Sequence, residues 1–123
     1  MDGAQRLHIP DAPGNHRLDS LSNIVETGRI GLLFLMPGVD ETLRVNGTAC
    51  LCDEDDKLAP FAADKRVRLV IEVGVEEAYL HCAKAIMRAQ LWSPEARVER
   101  ALLPTMNEML RDQIGQSEPA EPQ

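Results

Sequence analysis

The clearest pattern of hydrophobic and polar positions in the chain is an alternation over residues 42–52. A period of two is typical of a strand with its two faces in different surroundings. We therefore predict a strand with one face in the core and one face polar enough to line a site. The first face carries Leu43, Val45, Gly47, Ala49 and Leu51, and the second carries Thr42, Arg44, Asn46, Thr48, Cys50 and Cys52.

An apolar run over residues 30–36 leads into that strand through a Pro-Gly-Val-Asp turn. Because both alternating faces of this run are apolar, we predict a core strand that is covered on both sides. The two strands and their turn predict an antiparallel hairpin. A third alternating strand is predicted over 67–75, and a weak alternation over 6–9 predicts the end of another strand.

Apolar residues recur at helical spacing in the segment 17–27. Gly28 follows this segment, and glycine is typical of the left-handed conformation that ends a helix. We predict a helix over this segment, with Asn15 or His16 as its cap. Later segments predict a short connecting helix over 53–64, a helix over 76–91, and two amphipathic helices over 95–103 and 105–114 on either side of Pro104.

The start of the helix predicted over 17–27 is a candidate anion site. Arg17 and Ser20 lie there beside backbone N–H groups that have no partner within the helix, and the helix dipole favours negative charge at this end. A phosphate group fits such a place. The alternative interpretation is that Arg17 is a solvated surface residue and Ser20 an ordinary helix residue.

The helix predicted over 76–91 has a basic stripe beside its apolar one. Imidazole, ammonium and guanidinium groups offer hydrogen-bond donors, and an indole offers a stacking face, so the stripe is a candidate contact surface for an anionic or planar ligand. In the alternative interpretation the cations face solvent and the indole closes the end of the core. The stripe consists of His81, Lys84, Arg88 and Trp92.

Composition limits the classes of function. The 123 residues suit one domain, and 44% hydrophobic residues suit one core. Four aromatic residues and a formal net charge of -7 argue against nucleic-acid binding by base stacking or phosphate attraction. No apolar run reaches the roughly 20 residues of a membrane helix, and no signal peptide is evident. We expect a cytoplasmic protein with no membrane or nucleic-acid partner.

Metal and nucleophile motifs are weak in this sequence. Cys50-Leu51-Cys52 is not a Cys-x-x-Cys pair, Cys82 stands apart, and no two histidines lie four residues apart. We therefore predict reduced thiols and no metal site. Glycine motifs for phosphate or dinucleotide binding and the Gly-x-Ser-x-Gly motif are also missing, so any catalysis would need a cofactor.

Four blocks of sequence, taken together, resemble the pyridoxamine 5'-phosphate oxidase-like family of FMN-binding split-barrel proteins. They cover roughly residues 7 to 95 and stand in the family's order. The blocks are Pro10-Asp11-Ala12-Pro13-Gly14-Asn15-His16-Arg17-Leu18-Asp19-Ser20-Leu21, Arg29-Ile30-Gly31-Leu32-Leu33-Phe34-Leu35-Met36-Pro37-Gly38, Glu41-Thr42-Leu43-Arg44-Val45-Asn46-Gly47, and His81-Cys82-Ala83-Lys84 with Arg88 and Leu91-Trp92.

The resemblance implies a six-stranded antiparallel split β-barrel with peripheral helices, of the α+β class but mainly β. It also implies a homodimer that holds FMN in clefts at the subunit interface. By the same resemblance, the flavin phosphate lies near Asn15, Arg17 and Ser20, and the flavin ring near Thr42 and Arg44. His81, Lys84, Arg88 and Trp92 match a block of one branch of the family, near the cofactor or the partner subunit.

The chain departs from the family pattern in three ways. Thr27-Gly28 stands where the oxidase branch has the Asn-Pro that ends the helix. Ser20 stands where the oxidase branch has a lysine, so phosphate binding would rest on Arg17. The matched part begins at about the third strand of the usual barrel, which implies an N-terminally truncated domain over 1–114 whose open edges need a partner. The segment 115–123, with two prolines and two glutamates, predicts a disordered tail.

The function implied is that of an FMN-dependent oxidoreductase acting on an unidentified small molecule. Two alternatives remain open on the sequence alone. The chain could be a non-catalytic binding protein for a flavin or another planar ligand, or a truncated module that only dimerises or interacts.

Overall fold

The computed structural model describes residues 5–14 and 16–115. Its centre is an antiparallel sheet with strands β1 (Arg6–Asp11), β2 (Arg29–Phe34), β3 (Thr42–Cys52) and β4 (Leu69–His81). The strands lie in the order β1-β4-β3-β2, so β3 and β4 are central and β1 and β2 are edges. The described part of the chain is thus an α+β protein with an open sheet, and the predicted hairpin of β2 with β3 is confirmed.

Helix α1 (Asp19–Thr27) confirms the helix predicted over 17–27. Gly28 follows in the left-handed conformation, with φ 63°, and its N–H donates to the Ile24 carbonyl over 2.8 Å. The Gly28 carbonyl in turn accepts from Ala49 N–H at 2.9 Å, which ties the helix end to β3. The N-cap position is Leu18, which offers no capping side chain, and the predicted cap Asn15 lies outside the described residues.

Residues 76–91, where we predicted one helix, form the end of a strand and a short helix. Strand β4 continues to His81, and the only helix in this stretch is the short α3 (Lys84–Ala89). Glu, Ala and Leu favour helices locally, but residues 77–81 pair in register with 42–46 of β3. Backbone hydrogen bonds to an existing strand therefore decide the structure here against local propensity.

The strand predicted over 30–36 as a covered core strand lies at an edge of the sheet. Strand β2 pairs on one side only, and Leu33 and Phe34 are more than 40% exposed. An apolar run predicts that both faces of a strand can be covered, but it does not identify the element that covers them. The fully buried side chains of the described residues belong instead to β4, at Val70 and Val73.

A β-bulge divides the sheet between Asn46 and Gly47, where the β3–β4 register shifts by one residue. The alternation predicted for β3 holds through its middle, where Val45 and Ala49 are buried. It fails at the start of the strand, where Thr42 is 6% exposed and Leu43 39% exposed. The face of β3 assigned to the core is thus open at its N-terminal end.

The connection between β3 and β4 contains less helix than predicted. The segment 53–64 forms the one-turn helix α2 (Asp55–Leu58) and a 3₁₀ turn over Ala59–Phe61. Pro60 lacks the N–H that a continuing α-helix needs, which limits the helix to this length. Among the described helices, none is long and apolar enough to cross a membrane.

Beyond Trp92 the chain forms a second unit. The helix predicted over 95–103 is wrong, because only 3₁₀ turns form there, at Pro94–Ala96 and Arg100–Leu102. The helix predicted over 105–114 is confirmed as α4 (Met106–Ile114). It begins with a capping box, in which Thr105 and Glu108 each accept from the other's backbone N–H. Most of the predicted tail lies outside the described residues.

At the bulge, the backbone of β3 at Gly47 lies very close to the backbone of β4 at Gly74. A Cβ atom at Gly47 would lie 2.0 Å from the Gly74 carbonyl oxygen, and backbone cannot yield as a side chain can. We expect Gly47→Ala to lower the free energy of unfolding by about 1–3 kcal/mol in urea titrations. Gly14→Ala is the control, because a Cβ there meets nothing within 4 Å. Equal unfolding midpoints for Gly47→Ala and the parent would contradict this packing.

Candidate functional site

A cleft of about 270 Å³ lies at the start of α1. Its walls come from the loop after β1, from the first turn of the helix, and from Ile71 of β4. Arg17 and Ser20, which the sequence marked as a phosphate site, both line it, together with His16. The cleft therefore combines a guanidinium group and a hydroxyl group with the N-terminal end of a nine-residue helix.

The charges around this cleft are mixed. Arg17 Nη2 lies 3.0 Å from Asp19 Oδ2, and both side chains are 74% exposed. An exposed pair of this kind contributes little to stability. Asp11 also lines the cleft and disfavours anions at its rim. A bound phosphate would therefore lie on the Arg17 side.

A second group of predicted residues meets on β3 and β4. Thr42 is directly opposite His81, and Arg44 is directly opposite Tyr79, so all four side chains leave the same face of the sheet. Tyr79 is 45% exposed and adds an aromatic ring between these polar groups. Sequence reasoning missed Tyr79 because it placed this residue on a helix. The group offers a guanidinium, an imidazole and a flat ring to one ligand.

The other members of the predicted basic stripe do not share a helix face with His81. Lys84 and Arg88 are four residues apart on α3, whereas His81 ends β4, so the stripe as predicted is wrong. Trp92 lies next to the turn before β3, where its Nε1–H donates to the Val39 carbonyl at 2.8 Å. With that N–H occupied, the indole can contribute only its ring to a ligand.

The two candidate groups are far apart on one chain. The cleft of Arg17 contacts Ile71, which pairs with Leu51, whereas Thr42 lies nine residues earlier on β3. At about 3.3 Å per residue this separation is roughly 30 Å. Leu51 and Thr42 also project from opposite faces by the alternation of the strand. One chain therefore does not bring the predicted phosphate site and the predicted ring site to one mononucleotide.

A third cluster, which the sequence did not predict, surrounds Glu72 of β4. This side chain is only 12% exposed and accepts from Arg6 Nη1 at 2.7 Å, His8 Nε2 at 2.8 Å and Lys57 Nζ at 2.5 Å. The hydrogen bonds from Lys57 and His8 lower the pKa of Glu72 from 4.5 to about 2. The cluster joins β1, α2 and β4, which are distant in sequence.

Two cysteines lie beside this carboxylate. Cys50 and Cys52 are both unpaired thiols, and their Sγ atoms are 3.7 Å apart. Burial, with a smaller effect of the hydrogen bond to Cys50, raises the pKa of Cys52 to about 11. One ligand atom from each of Cys50, Cys52 and Glu72 falls within 4.8 Å of the others, which is a set of donors that could hold a metal ion.

Comparisons with known proteins add no family to this picture. No protein-family model matches the chain, and no curated protein matches it either.

The Glu72 cluster predicts a loss of stability in acid. Because the folded pKa of about 2 lies below the ordinary 4.5, the unfolded chain takes up this proton first as the pH falls. The contribution of Glu72 is complete above about pH 5 and is lost progressively towards pH 2. We expect urea midpoints measured from pH 7 to pH 3 to fall more steeply for the parent than for Glu72→Gln.

Asp64 titrates in the same range, because hydrogen bonds from Arg66 lower its pKa to about 2. Asp64→Asn is therefore the matched control. Because Glu72 is intact in this variant, its urea midpoint should still show the decrease in acid that Glu72 causes. Equal slopes for the parent and Glu72→Gln would show that the carboxylate is not held as described.

Proposed function

We propose that this chain binds FMN as a homodimer and acts as an FMN-dependent oxidoreductase on a small molecule. The observation that carries the proposal is the cleft at the start of α1, where Arg17 and Ser20 meet a helix N-terminus. This is the place that the resemblance to the pyridoxamine 5'-phosphate oxidase-like family assigns to the flavin phosphate. The arrangement suits a terminal phosphate, which prefers a guanidinium group and free N–H donors.

The ring of the flavin is assigned to the group on the other sheet face. Arg44 and His81 can donate to the carbonyl oxygens and nitrogens of an isoalloxazine, and Tyr79 can flank its plane. Lys84 and Arg88 add positive charge one helix turn apart. Bound FMN supplies the two-electron redox chemistry, and the protein's part is to hold the phosphate and set the electrostatics around the ring.

The distance between the two groups supports a site shared by two copies. Roughly 30 Å of strand separates them on one chain, so a single FMN can contact both only if the cleft of one copy meets the sheet face of its partner. Dimer formation also accounts for the open sheet, since the remaining wall of a split barrel would come from contacts between the copies.

An exposed apolar row gives the partner copy a surface to cover. Phe34, Leu43 and Leu80 are neighbours across three adjacent strands and are 43%, 39% and 70% exposed. Contiguous apolar side chains in this state are typical of protein–protein interfaces. The row lies at the Thr42 end of the sheet, on the face opposite the side chains of Thr42 and His81.

FMN titration tests the phosphate site. We expect flavin fluorescence to be quenched saturably by the parent protein. Arg17→Ala should weaken binding about tenfold to a hundredfold, because it removes a charge-assisted hydrogen bond to phosphate. Arg66→Ala is the matched control, since Arg66 pairs with Asp64 outside the cleft. Equal affinity for FMN in Arg17→Ala and the parent would overturn the phosphate assignment.

Mixing two variants tests whether the site is shared. Arg17→Ala and Arg44→Ala should each bind FMN poorly as pure dimers. In a mixed dimer one site carries both substitutions and the other carries neither. After unfolding and refolding together, we therefore expect about a quarter of the sites to regain parent affinity. A mixture that binds no better than the separate variants would contradict a shared site.

The apolar row also favours a second candidate function, that of a dimerising module without a cofactor. Size-exclusion chromatography with the FMN titration separates the two. A dimer that binds no flavin at any concentration supports the module, whereas a dimer that binds flavin and is reduced by a substrate supports the enzyme. A dimer that binds flavin without turnover supports a carrier.

A further inference from the structure

We propose that Cys50, Cys52 and Glu72 form a binding site for a thiophilic divalent metal ion of the zinc type, independent of any flavin. The two cysteines are only two residues apart, which is not a spacing typical of zinc sites. On a strand, however, residues i and i+2 project from the same face, and here the sheet adds a carboxylate from the neighbouring strand.

The distance between the sulfur atoms fits such an ion. Two thiolates bound at about 2.3 Å to one tetrahedral zinc ion lie roughly 3.8 Å apart. Cys50 Sγ and Cys52 Sγ are already 3.7 Å apart, so neither side chain has to move relative to the other. The carboxylate of Glu72 lies within 4.8 Å of them, and an adjustment of about 1 Å completes a three-ligand set.

The carboxylate is oriented by partners outside the ligand set. Among the residues that the structure describes, Arg6, His8 and Lys57 occupy three of the approximately four lone-pair positions of Glu72. A position therefore remains for a metal ion without loss of these bonds. Carboxylates that bind metal ions are usually hydrogen-bonded by neighbouring groups in this way.

The local charge also suits a metal complex. Two thiolates and one carboxylate carry three negative charges, and a divalent ion reduces this to one. Arg6 and Lys57, both bonded to Glu72, are placed to balance the remaining charge.

The site has an entrance and an open coordination position. A cleft of about 230 Å³ reaches Cys50 and Glu72 from solvent, with Arg6 and Gly74 in its walls. Cys52 lies behind it and is buried. Three protein ligands leave the fourth tetrahedral position to water or to a small molecule, which is the arrangement of catalytic zinc sites rather than structural ones.

Cobalt(II) titration of the reduced protein tests the site. We expect a near-ultraviolet thiolate-to-cobalt charge-transfer band that saturates at one ion per chain and disappears when zinc is added. Cys50→Ser and Cys52→Ser should each weaken cobalt binding by more than about tenfold. Cys82→Ser is the matched control, because Cys82 is an exposed thiol outside the set, and it should bind cobalt like the parent.

A measurement without variants covers the case in which a serine variant does not fold. Iodoacetamide labelling of the parent, read by peptide mass spectrometry, should be slowed by zinc at Cys50 and unchanged at Cys82. Three results would each overturn the site. They are the absence of a charge-transfer band, a band that Cys82→Ser abolishes, and equal labelling of Cys50 with and without zinc.

Discussion

The pairing of β3 with β4 is the constraint on which the rest of the structure depends. These are the longest strands, of 11 and 13 residues, and their register brings Gly47 against Gly74 at a distance that only glycine allows. Helix α1 is attached to β3 through the Gly28 carbonyl, and β1 is attached to the outer edge of β4. The location of each candidate site therefore depends on where its residues lie along β3 and β4.

The same pair sets the relation between the sites. The Arg17 cleft lies near one end and the group of Thr42 and His81 lies at the other. The Glu72 cluster lies beside Ile71 at the cleft end, on the opposite face, which carries Cys50. Strands are extended, so side chains that are nine or ten residues apart cannot converge on a small ligand within one chain. A ligand of mononucleotide size can join the two ends only across two copies, whereas the Glu72 cluster is complete within one.

Local patterns predicted the elements whose structure is decided locally. The bounds of β3 and the end of α1 at Gly28 follow from alternation and a left-handed glycine, and the start of α4 follows from the break at Pro104. Residues 77–81 were mistaken for helix because their structure depends on pairing with β3.

Among the candidate sites too, those formed by residues near in sequence were predicted and those formed by residues distant in sequence were not. Arg17 and Ser20 were found because a helix start is a local feature, and they do line one cleft. The partners of Glu72 were not found, since His8 and Lys57 are 64 and 15 residues away in sequence. No spacing rule for metal ligands combines two residues of one strand with a carboxylate of the next.

The attachment of β1 has a consequence for how the sheet opens. On the face that carries Glu72, this edge strand is held by the ion pairs of Arg6 and His8 with that carboxylate. Screening by salt and protonation of Glu72 therefore weaken the attachment of β1 more than they weaken the apolar contacts of Val70 and Val73. Local unfolding of the sheet should therefore begin at β1. Its departure would uncover the hydrogen-bonding edge of β4, and a strand from another chain could then take its place, which is the first step of domain swapping.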